Sequence, residues 1–166
     1  ARTLTTVTSD ANGNGDIATV RIKIAGLLNS ATSLSAGYDA VGNLLYLFDD
    51  AGTGLVGGFS PGSAQVISNS QGCLDCANTS VTRSGNTITI AWNFTPNNAV
   101  SGLKNIYLYA VDKEGENSSW QTLGIWSIGV GTNAPVNLSL SPNSGSSLAT
   151  VARVMTTVVS DVDGNA

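Results

Sequence analysis

The stretch Thr87-Ile88-Thr89-Ile90-Ala91-Trp92-Asn93-Phe94 decides the fold class. Ile88, Ile90, Trp92 and Phe94 fall on one side of an extended chain, with Thr87, Thr89, Ala91 and Asn93 on the other. A side-chain period of two marks a strand with one buried face and one wet face; a helix needs apolar residues three and four apart. The same alternation continues outward from this stretch. Val20, Ile22 and Ile24 alternate with Arg21 and Lys23, and Trp126, Ile128 and Val130 repeat the pattern further on. Ile106, Leu108 and Ala110 oppose Tyr107, Tyr109 and Val111, as expected of a central strand covered on both sides.

Turn signals separate these runs: Val41-Gly42-Asn43, Pro61-Gly62-Ser63, Ser84-Gly85-Asn86 and Glu114-Gly115-Glu116. Short alternating strands between Gly and Asn turns predict an all-β chain, an immunoglobulin-like β-sandwich over residues 1–130. Residues 131–135, ending in Pro135, read as a linker. Beyond it Val136, Leu138 and Leu140 alternate with Asn137, Ser139 and Ser141, a half-buried strand. Pro142 to Ser147 reads as a loop, and Leu148 to Val159 as a further strand-forming stretch.

Composition narrows the chemistry. The 166 residues contain no histidine, which removes Ser-His-Asp and Cys-His nucleophile arrangements and His-ligated zinc together. Seven basic residues are scattered against eleven acidic ones, a net charge of −4, which argues against nucleic acid as a partner. Only 11% of residues are charged, so Thr, Ser, Asn and Gly must fill the surface, as on many extracellular β-rich proteins. No run of 18 apolar residues and no positively charged apolar leader occurs, so a secreted protein is expected here after processing or as a fragment.

The two ends repeat each other. Ala1 to Asn14 aligns without gaps on Ala152 to Asn165, an offset of 151 residues, with nine of the fourteen positions identical. On this repeat the chain is expected to start at what would be the second strand of one domain and to end after the first two strands of the next. A sandwich without its first strand exposes unpaired backbone groups and an apolar groove. Three arrangements answer this: strand exchange with a neighbouring copy, a cut through a longer tandem array, or a tail folded back as a circular permutation. Strand exchange is the leading expectation, with Val136, Leu138 and Leu140 as the assembly strand that fills a neighbour's groove. Such a head-to-tail contact is heterologous and builds an open filament of copies of the chain.

Tyr38 to Thr53, Gly57 to Ser63, Gly102 to Asp112 and Trp120 to Trp126 together resemble a tandemly repeated domain of large secreted bacterial surface proteins. The Asn133-Ala134-Pro135 junction, followed by the Ser-Pro-Asn-Ser-Gly loop, is similar to interdomain joints in such immunoglobulin-like arrays. The resemblance implies surface display or adhesion and offers no catalytic residue to carry over. The function expected is a structural subunit or repeat of an extracellular bacterial filament or stalk, not an enzyme. The alternative is an adhesion or carbohydrate-binding module of a multidomain secreted protein.

Four features invite chemistry. Asp10, Asn12, Asn14 and Asp16 stand at every second residue with Gly13 and Gly15 between, and alternating oxygens on a glycine-rich loop can converge on calcium. Asp161, Asp163 and Asn165 begin the same pattern in the second copy; an Asx-rich turn accounts for the same composition. The acids Asp49-Asp50 and the run Asp112 to Glu116 sit beside turns, where they are solvated or add ligands to such a cation site. Cys73 and Cys76 are the only cysteines and are expected to form a local disulfide in an oxidising compartment. Trp120, Trp126, Tyr107 and Tyr109 offer a face on which a polysaccharide could stack, although aromatics at alternate positions also pack between sheets. Asn78, Asn93, Asn117 and Asn137 head N-glycosylation sequons, which the bacterial resemblance leaves without a modifying role.

Overall fold

In the computed structural model the Thr87–Phe94 alternation lies within a strand, Thr87–Pro96, whose Ile88, Ile90, Trp92 and Phe94 side chains are fully buried. The structure describes residues 1–129, 136–146, 148–150 and 152–160. These residues divide into two units, Ala1–Ile128 and Gly129–Ala166. The expected linker 131–135 and the second-copy loop with Asp161, Asp163 and Asn165 lie outside the described residues.

The first unit holds β1 (Arg2–Ser9), β2 (Ile17–Ala25), β3 (Ser33–Asp39), β4 (Leu44–Phe48), β5 (Leu55–Phe59) and β6 (Val66–Asn69). It continues with β7 (Gly72–Asp75), β8 (Ser80–Ser84), β9 (Thr87–Pro96), β10 (Gly102–Asp112) and β11 (Gln121–Ile128). One sheet runs β1-β9-β7-β6, with β8 also on β9; the other runs β11-β10-β2-β3-β4-β5. Every pairing is antiparallel. Inner residues of both sheets form one core, Ile88 to Phe94 from β9 meeting Val20, Ile22, Ile24, Leu34, Leu45 and Leu47. This is a β-sandwich, as the alternation predicts.

Local chemistry sets the edges of these strands. Gly85 (φ +52°) takes the left-handed backbone that the two-residue turn between β8 and β9 requires, and Ser84 and Thr87 pair across it. At Gly72 (φ +154°) a Cβ would lie 2.6 Å from the Thr95 carbonyl oxygen, so only glycine lets β7 approach β9 this closely. Trp92 donates from Nε1 to Thr6 Oγ1 at 2.9 Å, tying the edge strand β1 to the core. Tyr38, fully buried, donates to Asn43 Oδ1 at 2.8 Å and accepts from Arg83 at 2.8 Å.

The second unit is a two-stranded ladder of β12 (Val136–Ser141) and β13 (Thr156–Ser160). The strand expected from Leu148 onward starts only at Thr156. The reason is a missing partner. Arg2–Leu4 are strand because Phe94, Asn93 and Trp92 of β9 face them, whereas their repeat equivalents Arg153–Met155 have no such strand and stay irregular. Arg153 instead donates to the Ser146 carbonyl at 3.0 Å.

Candidate functional site

The loop after β1 is an Asx turn. Asp10 Oδ1 accepts the Asn12 amide at 2.8 Å, the Gly13 amide donates to the Asp10 carbonyl at 3.2 Å, and Asn12 Nδ2 donates to Asp16 Oδ2 at 3.2 Å. Asn14 turns away and donates to the Gly85 carbonyl in the β8–β9 turn. Of the four residues expected to converge, Asp10, Asn12 and Asp16 stay in one turn and Asn14 does not join them. Asp10 and Asp16 are joined by Asp112 from the end of β10, with one carboxylate oxygen from each lying within 4.8 Å of the others. The Lys113 amide, donating to the Asp16 carbonyl at 3.0 Å, holds the two loops together. Three hard oxygen donors from two loops are of the type calcium takes, and the turn's own hydrogen bonds account for the same geometry without an ion.

Glu114 joins this cluster electrostatically. Its carboxyl is pushed above the usual glutamate range, first by a hydrogen bond with Asp16, then by desolvation and by the charges of Asp16 and Asp112. A pKa raised in the folded state gives a stabilising contribution that is full below the ordinary glutamate value of about 4.3 and is lost as pH rises through the raised one. At neutral pH the crowded carboxylates repel. Glu114→Gln should therefore melt higher than the unmodified chain at pH 7, and the difference should vanish below about pH 4. Paired thermal melts across that range check it; a lower melting point for the variant at pH 7 would contradict the repulsion.

The expected cysteine bridge is not formed. Cys73 and Cys76 are free thiols, and burial alternates through Gly72, Cys73, Leu74, Asp75 and Cys76 so that Cys76 faces the core and Cys73 the opposite side. Bridging them needs the local backbone to turn one side chain around. Burial, then the Asp75 charge, raises the Cys76 thiol, which keeps it protonated and unreactive at neutral pH.

The expected aromatic face is only partly assembled. Trp126 belongs to the core, 8% exposed, with the Arg2 guanidinium 5.7 Å from its ring centre. Tyr107 is buried too, its hydroxyl accepting from Asn105 at 3.1 Å. Trp120 and Tyr109 do stack, with ring centres 5.1 Å apart. Arg21 continues the row, 5.8 Å from Tyr109 and 5.5 Å from Phe48. A hollow of about 510 Å³ opens beside this row, lined among others by Arg21, Asp39, Tyr46 and Phe48. Sequence reasoning missed Arg21 and Phe48; the signal was their outward parity on β2 and β4.

The sandwich has an open side at β1. Among the described residues β1 pairs only with β9, so its second edge carries no strand. The other sheet ends here as well, at β11. Between them lies a hollow of about 200 Å³ lined by Val7, Thr8, Ser9, Leu108, Ala110, Ser118, Gln121 and Leu123. A second, of about 250 Å³, continues along Thr8, Ser9, Asp10 and the Ala110–Ser118 turn. Val7 and Leu123 are 58% and 62% exposed, and the Thr8 hydroxyl is enclosed without a hydrogen-bond partner. Leu123 owes its place to a bulge: Gly124 faces Ile106 and Thr122 faces Tyr107, which leaves Leu123 unopposed. In the second unit, the expected assembly residues Val136, Leu138 and Leu140 lie on β12, each about half exposed. Compared with protein-family models, curated proteins and solved structures, the chain matches none.

Proposed function

We propose that this chain is a structural subunit or repeat of an extracellular bacterial filament or surface stalk. In this reading an immunoglobulin-like sandwich joins head to tail with its neighbours by β-strand complementation. The observation that carries it is the edge of β1 that, among the described residues, has no strand beside it, next to the groove with exposed Val7 and Leu123. The chemistry of the chain agrees: no histidine, 11% charged residues, and acids clustered on solvent-facing loops. A Thr- and Ser-rich edge whose one charged side chain is Arg2 suits contact with copies of itself and weakens little in salt, since apolar burial and ladder hydrogen bonds hold it. Electron microscopy of concentrated protein should show filaments with one sandwich per axial repeat. A monodisperse monomer at every concentration, by light scattering, overturns the reading.

A second reading, adhesion to a polysaccharide, rests on the row of Phe48, Arg21, Tyr109 and Trp120. Tyr109 stacks with Trp120 and lies near the Arg21 guanidinium, and Trp120, partly exposed, is the ring this reading offers to a sugar. Retention on a polysaccharide column, lost in Trp120→Ala with the fold intact, would favour this reading; equal elution of both proteins would dismiss it.

A further inference from the structure

We infer that the bare edge of β1 takes up β12 of a second copy in one defined register, by exchanging β13 for β1. The inference rests on the complementation reading and gives it an atomic address. Thr156–Ser160 reads Thr-Thr-Val-Val-Ser and Thr5–Ser9 reads Thr-Thr-Val-Thr-Ser, the same strand but for one residue. In the second unit this strand already carries β12: Val136 faces Ser160, Asn137 faces Val159, Ser139 faces Val158, Leu140 faces Thr157 and Ser141 faces Thr156. Moved back by the repeat offset, the pairing sets Val136 opposite Ser9, Asn137 opposite Thr8, Ser139 opposite Val7, Leu140 opposite Thr6 and Ser141 opposite Thr5. One edge of β1 is occupied by β9, so the incoming strand takes the free one.

The exchange is close to neutral for the backbone, because β12 gives up one antiparallel ladder and regains another against a nearly identical strand. The side chains decide its direction. On β13 the apolar residues of β12 stay half exposed, whereas at β1 Val136, opposite Ser9, joins the face of exposed Val7, and Leu140, opposite Thr6, joins the inner face beside the groove over Leu108. Asn137, set opposite Thr8, brings amide donors and an acceptor to the strand whose Thr8 hydroxyl has no partner.

Chain length favours a second copy over the chain's own β12. Ile128 pairs with Gly102, while the Ser9 end of β1 shares a hollow with Ala110, eight residues further along β10. Those eight steps rise roughly 27 Å. Residues 129–135 reach at most about 29 Å from Ile128 to Val136 when fully extended, which leaves no chain for the reversal that an antiparallel docking demands. A neighbouring copy meets no such limit.

Disulfide trapping tests the register in the full chain, with Cys73→Ser and Cys76→Ala removing the native thiols. Val7→Cys with Ser139→Cys, both at exposed positions, should oxidise into a ladder of dimers, trimers and higher species on a non-reducing gel. Thr3→Cys with Ser139→Cys, four residues out of register on the same strand face, should give none. Oxidation of the first pair within single monomers overturns the second copy as occupant. Filaments that form without cross-linking of the first pair overturn the register and leave the filament reading standing. Absence of any assembly by light scattering overturns both.

Discussion

Trp92→Ala should lower the stability of the first unit by about 3–5 kcal/mol, the cost of truncating a large buried aromatic. Trp92 is fully buried, stacks on Phe94 with ring centres 6.1 Å apart, and stands midway along the strand shared by β1, β7 and β8. Typical domain stabilities are about 5–15 kcal/mol, so the variant should unfold at a urea concentration lower by roughly 2 M, or fail to fold. Trp92→Phe separates the two roles of the indole. It keeps most of the apolar area but removes the donor to Thr6, a bond of about 1 kcal/mol, and Thr6 can turn to water because β1 is an edge. Amide exchange along β1 should quicken in Trp92→Phe while β2 and β3 stay protected. A loss below about 1 kcal/mol in Trp92→Ala would mean that the core is not centred on this residue.

The residues around Trp92 explain how much of the fold was legible. Alternation is a direct print of the pleat, so the buried faces of β2 and β9 follow from it residue by residue. The two apolar faces of β10 were equally plain, and Tyr107 and Leu108 are both buried. Pairing partners are not printed in this way. The Arg-containing segment that forms strand at Arg2–Leu4 is irregular at Arg153–Met155, since only the first copy has β9 beside it. Strand formation there belongs to the neighbour rather than to local propensity.

The site residues divide along the same line. Trp126 carried its own answer, because it shares parity with buried Ile128 and so points into the core, away from any sugar. Cys76 likewise shares parity with Leu74 and opposes Cys73. Asp112 could not be placed beside Asp10 and Asp16 by spacing, being brought there by the pairing of β10 with β2, in which Asp112 faces Ile17. Leu123 was invisible for another reason: a bulge shifts the register of β11 by one residue, and no local pattern announces which residue is left unopposed.

Two single variants that each block assembly should restore it to one step only when mixed. Leu140→Asp places a carboxylate on the donor strand, and Leu123→Asp places one in the acceptor groove. Both positions are exposed in the separate units, 47% and 62%, so neither change should move the melting of its own unit by more than about 0.5 kcal/mol. In the joined state each residue is covered, and an unpaired carboxylate withdrawn from water costs several kcal/mol, enough to lower association by a thousandfold or more. Each variant alone should therefore run as a monomer at concentrations where the unmodified chain forms filaments. The Leu123→Asp chain still offers an intact β12, and the Leu140→Asp chain still offers an intact edge on β1. A heterologous contact has two different faces, so an equimolar mixture has one good junction to make and should stop at a heterodimer. An isologous contact uses the same patch on both partners and could not sort the variants in this way. Light scattering that finds a dimer mass only in the mixture supports head-to-tail complementation, whereas filaments from either variant alone would remove Leu140 and Leu123 from the junction.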